Sequence, residues 1–168
     1  MKKIYSYSKA GHCEMYAKAI GEKTNIEVID FSIHTPSETD EVIFITWISA
    51  GKIVGLKKIR QKCQISQLIA LGVRYYSEDE LLTLKHKNGV QSNLPFFKAQ
   101  GGVVKSQTNP ILNMLIFNLV INLTVKLLAK QENLLPYSVY LEKEYKGQDV
   151  HILDIDVDKA IEILHLQD

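Results

Sequence analysis

The sequence predicts an α/β domain: a parallel β-sheet with helices on both faces. Short apolar segments alternate with helical patterns through about the first hundred residues, the order a parallel sheet requires. The segment Val42 to Trp47 is almost wholly apolar, as a strand buried on both faces must be. A chain of 168 residues suits one domain with one sizeable core.

The elements follow in order. Lys2 to Ser8 reads as a first strand, with Ile4 and two tyrosines suited to a sheet. After a turn at Gly11, Glu14 to Glu22 has helical spacing, with Met15, Ala19 and Ile20 on one side. Ile26 to Phe31 is a second strand and Val42 to Trp47 a third. Gly51 to Lys62 reads as a helix whose basic run, Lys57 to Lys62, forms a solvated face. Gln67 to Val73 is a fourth strand. Ser77 then caps a helix, with Glu80 at the capping-box position and acids at the positive end of the dipole. Leu94 to Gln100 is a fifth strand, closed by Gly101 and Gly102.

The remainder is less regular. Asn109 to Lys130 reads as a long helix with Pro110 in its first turn. No charge occurs from Thr108 to Val125, but Asn109, Asn113, Asn118 and Asn122 interrupt the apolar run. Packing on the sheet is the first reading of this helix. Contact with a membrane surface or a partner is the second, and a membrane span the third. Tyr137 to Tyr145 suits strand or helix, Val150 to Ile155 reads as extended, and Val157 to Leu166 as a final amphipathic helix.

Composition narrows the function. The formal net charge of +1 argues against nucleic-acid binding driven by bulk charge. Two cysteines, Cys13 and Cys63, make neither a zinc site nor a disulfide framework. The opening residues lack the apolar core of a signal peptide, so a cytoplasmic setting is expected.

Ligands of parallel sheets bind beyond the carboxyl ends of the strands. The loop after the first strand, Ser8-Lys9-Ala10-Gly11-His12-Cys13, leads into a helix whose first N–H groups have no intrahelical partner. It can hold a phosphate group, with Gly11 permitting the tight turn, Ser6 or Ser8 adding hydroxyls and Lys9 adding charge. It is neither a Walker loop nor a three-glycine dinucleotide fingerprint. A plain strand-to-helix turn is its structural reading. Cys13 at a helix start beside His12 also raises thiol chemistry. Ala19, however, stands where a cysteine phosphatase needs arginine.

Three more loops share the predicted edge. Trp47, the only tryptophan, is followed by Ile48-Ser49-Ala50-Gly51, small enough to admit a planar ring and offer it backbone groups. Tyr75 or Tyr76 can stack on such a ring. Gln100-Gly101-Gly102 closes the fifth strand nearby. Each has a structural alternative: a core anchor at Trp47, half-buried surface tyrosines, and a simple turn.

Together these loops resemble the flavodoxin-like superfamily, whose first loop reads roughly Ser/Thr-x-Thr-Gly-x-Thr. Ser8 and Gly11 match it, while Ala10 and Cys13 replace hydroxyl residues. Trp47 to Lys52 is similar to the Trp-Ala-Gly-Lys-like stretch of bacterial flavodoxin-domain proteins. Phe96 to Gly102, followed by a long apolar helix and a closing Asp-rich segment and helix, looks most like the subgroup that includes FMN-dependent protoporphyrinogen oxidases. The resemblance implies a doubly wound, five-stranded parallel sheet of order 2-1-3-4-5. It implies FMN held by its phosphate in the first loop, and electron transfer or FMN-dependent oxidoreduction. A redox partner protein or a small-molecule electron donor or acceptor would complete the reaction. Residues 109–130 would offer peripheral membrane contact. Two alternatives stay open: a cofactor-free binding or regulatory domain, favoured by Ala10 and Cys13, and a thiol enzyme using Cys13.

Overall fold

A computed structural model describes residues 1–9, 11–73, 76–101, 126 and 154–166. Its strands are β1 (Lys2–Ser6), β2 (Glu27–Asp30), β3 (Glu41–Ser49), β4 (Lys52–Ile53), β5 (Ile65–Gly72) and β6 (Phe96–Gln100). The helices are α1 (His12–Thr24), α2 (Leu56–Arg60), α3 (Glu78–Lys87) and α4 (Asp154–Ile163). The six-stranded sheet has the order β2-β1-β3-β5-β6, with β4 paired to β3 alone. Every neighbouring pair on that path is parallel, and β3–β4 is antiparallel. The five strands read from the sequence therefore form an α/β sheet in the expected succession. β4 is an addition.

Alternation explains the layers. Successive side chains of a strand point to opposite faces. Ile43 and Ile45 of β3 pack on one face with Ile4, Ile69, Leu71 and residues of α1 and α4. Val42 and Phe44 pack on the other with Leu68, Ala70 and the α2 residues Leu56 and Ile59. Helices thus cover both faces. The strand β3 is buried from Val42 to Thr46, which is why it reads as an unbroken apolar run.

Two boundaries differ from the sequence reading. Gly51 to Lys62 is not one helix. Ala50 and Gly51 both have positive φ, 47° and 76°, so the chain reverses there in a two-residue hairpin. Only Leu56–Arg60 is helical, and Lys57, Lys58 and Lys62 are exposed as a solvated basic face. The last helix begins earlier than Val157. Asp154 and Ile155, read as the end of an extended segment, lie in its first turn. The capping box of α3 forms as expected: Glu80 N–H donates to Ser77 Oγ at 3.3 Å, and Ser77 N–H donates to Glu80 Oε2 at 2.9 Å.

Among the described residues no helix is long and apolar enough to cross a membrane. The predicted elements at 109–130 and 137–145 lie outside the described residues, apart from Lys126.

At the amino edge of β1, Asp40 accepts from Ser37 N–H at 3.1 Å and from the Tyr5 hydroxyl at 2.8 Å, and pairs with Lys3 at 3.0 Å. The Ser37 hydrogen bond first, then those from Tyr5 and Lys3, hold this carboxyl well below the usual range. Its stabilisation is full above the unfolded value of about 4 and is lost as pH falls towards the lowered folded value. Chemical denaturation against pH should show Asp40→Asn less stable than the parent at pH 7. The gap should narrow progressively as pH falls below about 4, towards the lowered folded value. A constant gap would refute the linkage.

Candidate functional site

Because β1, β3, β5 and β6 run the same way, their forward loops meet at one edge. The structure sorts the predicted residues there into three groups: an open loop, a cleft, and a set consumed by internal hydrogen bonds.

The open loop follows β1. Gly11 N–H donates to Ser8 Oγ at 2.9 Å, closing a short turn. The Ser8 hydroxyl thus organises the loop. Gly11 is the N-cap of α1 with φ 87°, and no side-chain hydrogen bond caps the helix. Among the described residues nothing lies within 4 Å of where a Cβ on Gly11 would be, its chain neighbours aside. The thirteen-residue α1 thus presents its positive end at an open glycine, which fits a phosphate group. Lys9 is exposed beside it and His12 is partly buried. Ala10 lies outside the described residues.

Cys13 is 1% exposed, and burial pushes its thiol up to about 12. The opposing pull of the Ser8 hydroxyl and of the Cys13 backbone does not compensate. A thiol that stays protonated and covered is a poor nucleophile.

The cleft lies between the β3–β4 hairpin, the end of β5, and α3. Its volume is about 630 Å³, in the range of small-molecule sites. Ile48, Ala50, Gly51, Gly72, Val73 and Tyr76 form its strand-side wall, and Glu80, Thr83, Leu84 and Lys87 line it from α3. Of the predicted residues it gathers Ile48, Ala50, Gly51 and Tyr76. Tyr75 and Gly102 lie outside the described residues. The first loop and Gln100 are not among its lining residues.

The stretch after Trp47 was expected to be an open loop offering backbone groups to a ring. It is a hairpin instead, with Ile48 paired to Ile53 and Ser49 to Lys52. Trp47 C=O accepts from Val54 N–H at 3.0 Å. The hairpin is braced by Asn88, whose Oδ1 accepts from Ile53 N–H at 2.8 Å and whose Nδ2 donates to Gly51 C=O at 3.0 Å. The Trp47 ring packs on Tyr7 with centroids 5.2 Å apart, continuing an aromatic chain through Phe31 to Phe44. Lys58 sits over Tyr7 and Phe31 at 5.7 and 5.2 Å. Ala50 and Gly51 therefore contribute shape, and Ser49 is exposed on the hairpin.

Gln100 belongs to the consumed set. Its backbone N–H donates to Asp156 at 2.5 Å, and its C=O lies 3.0 Å from the Tyr16 hydroxyl. Its side-chain Nε2 donates to Val73 C=O at 2.9 Å and Gly101 C=O at 3.0 Å. Gly101 N–H donates to Gly72 C=O at 3.0 Å, and a Cβ on Gly101 would come within 3.1 to 3.2 Å of Gly72 and Leu71. These residues tie β5 to β6 instead of facing a ligand. The carboxylate that closes the knot, Asp156, is 1% exposed and comes from α4. Sequence reasoning missed it because it pairs across 56 residues with a backbone group. It also missed Lys98, which sits inside a strand pattern and whose ammonium comes within 5.9 Å of the Tyr76 ring.

The sequence matches no protein-family model and no curated protein. The fold and the edge define an α/β protein with an uncapped α1 start at an open glycine and a separate cleft of about 630 Å³.

Two outcomes follow from this geometry. Alanine at φ 47° is unfavourable where type I′ hairpins prefer asparagine. Ala50→Asn should therefore raise unfolding free energy by about 0.5–1 kcal/mol in urea titration. Iodoacetamide at pH 8 should alkylate Cys13 of the folded protein far more slowly than in urea. Equal rates would show that the thiol is not buried.

Proposed function

We propose that the protein binds FMN at the carboxyl edge of its sheet and acts as a flavodoxin-like redox protein, in electron transfer or FMN-dependent oxidoreduction. The observation that carries this reading is the pairing, on one edge, of an uncapped α1 start at an open Gly11 with a cleft of about 630 Å³. The order β2-β1-β3-β5-β6 supports it, since it matches the succession implied by the family resemblance once β4 is set aside.

In this reading the backbone from Gly11 into α1 holds the phosphate, Lys9 adds charge, and Ile48, Ala50, Gly51 and Tyr76 flank the ring. When bound, FMN supplies one- and two-electron chemistry, while the protein contributes position and ring environment. The donor and acceptor would be a partner protein or a small molecule. A setting in the cytoplasm with peripheral membrane contact through residues 109–130 belongs to the same proposal.

A second reading, a cofactor-free binding domain of the same fold, draws on the hairpin. Its Ser49–Lys52 pairing closes the stretch after Trp47 into a turn, where the resemblance implies a loop that offers backbone groups to a ring. Burial of Cys13 speaks against the thiol enzyme.

Titration with FMN, followed by quenching of flavin fluorescence, separates the two. Saturable one-to-one quenching supports the redox reading, and no quenching leaves the cofactor-free domain. Gly11→Asp puts a carboxylate where the phosphate would sit, at a backbone conformation that strains any side chain. It should weaken FMN by about 30-fold, or roughly 2 kcal/mol, while lowering stability by about 1–2 kcal/mol.

A further inference from the structure

We propose that Asn88 is a positioning residue for the cleft: its carboxamide latches the tip of the β3–β4 hairpin to the end of α3, and so sets the spacing of the two walls that would hold a planar ring. This rests on the reading that the FMN ring enters the cleft, and it adds the residue that controls the fit.

The root of the hairpin is fixed by its own chain. Val54 N–H donates to Trp47 C=O at 3.0 Å, the Thr46 hydroxyl donates to Val54 C=O at 2.6 Å, and the Ile53 side chain is buried. The tip is not fixed in this way. Strand β4 has two residues, and a two-stranded hairpin of that size is marginal in water. Its turn carries alanine at φ 47°, which is unfavourable for a residue with a side chain. Yet Ala50 and Gly51 of this turn form one wall of the cleft, and Leu84 and Lys87 of α3 stand in the other.

Asn88 joins those walls. It is the C-cap of α3, one residue beyond Lys87. Its Nδ2 donates to Gly51 C=O at 3.0 Å and to Leu84 C=O at 2.8 Å. A single NH2 group thus bridges a residue of each wall. Its Oδ1 accepts from Ile53 N–H at 2.8 Å, on the returning strand. A carboxamide has two N–H donors and one carbonyl oxygen, and all three are engaged here. A flipped amide would turn its oxygen on two carbonyls and its NH2 on an N–H.

The latch is also held from behind. Arg60 Nη1 donates to Asn88 C=O at 3.3 Å and to Gly89 C=O at 2.9 Å. Arg60 follows Ile59 of α2, which is buried against the sheet. Asn88 is not among the residues that line the cleft. It acts on a ligand through Gly51 and Leu84.

This geometry requires an amide. Aspartate is nearly the same size and can still accept from Ile53 N–H. Ionised, it has no donor for Gly51 or Leu84 and sets negative charge against their carbonyl oxygens. Protonation returns one donor.

The test compares the parent protein with Asn88→Ala and Asn88→Asp. It reads hydrogen exchange at the Ile53 amide and FMN affinity by fluorescence quenching. Asn88→Ala should speed exchange at Ile53 at least about tenfold. Asn88→Asp should keep that amide protected but weaken FMN about tenfold at pH 7. Relative to the parent at the same pH, its affinity should recover as pH falls towards about 4. Parent-like exchange at Ile53 in a folded Asn88→Ala protein would overturn the proposal. So would undiminished FMN binding by Asn88→Asp at pH 7, or a loss that acid does not recover. If Asn88→Ala does not fold, Asn88→Asp decides alone. If the parent itself binds no FMN, the flavin reading falls, and exchange at Ile53 still decides whether Asn88 holds the hairpin. Equal FMN binding by the parent and both variants keeps the flavin reading and removes this one.

Discussion

Parallel strands cannot be joined by tight turns, so each connection must cross a face of the sheet before the next strand can begin. That constraint shapes the molecule. Both faces are covered, and β3 and β5 must be apolar on both sides. All forward loops are sent to one edge. The helix α1 packs its buried Tyr16, Ala17 and Ile20 on one face, so its amino end arrives at the carboxyl end of β1. The hairpin, α2 and the segment after α3 cover the opposite face.

Polar groups at that edge are bound into the architecture. Burying a backbone N–H without a partner costs about 1–3 kcal/mol. At the end of β6 that demand is met by Asp156, and the Tyr16 hydroxyl lies between Gln100 C=O and the same carboxylate, 3.0 and 3.3 Å away. One small network thereby joins α1, β6 and α4. It fixes the end of β6.

The legible parts of the sequence were those governed by local patterning. Val42 to Trp47 announced a doubly buried strand because each side chain had to satisfy an apolar face. Ser77 and Glu80 announced the start of α3 because a capping box is complete within four residues. The hairpin was hidden because Ala50-Gly51 lacks the Asn-Gly or Asp-Gly signal, and the basic run behind it resembles a helix face. What stabilises this turn is distant: Asn88, bonded to Ile53 and Gly51. Gln100 looked available because nothing nearby in sequence claims it. Its partners are Val73, Tyr16 and Asp156, brought together by the sheet. Within the candidate site, the sequence placed the loops at one edge of the sheet but could not say which polar groups there the fold had already used.

The hairpin also decides how the two candidate features relate. In the sheet order β3 stands between β1 and β5, so its extension to Ser49 rises between the first loop and the cleft. Trp47 and Tyr7 pack together at the base of that wall. Ile48, Ala50 and Gly51 face the cleft on its other side. A ligand using both features must run along the sheet edge over the base of the hairpin.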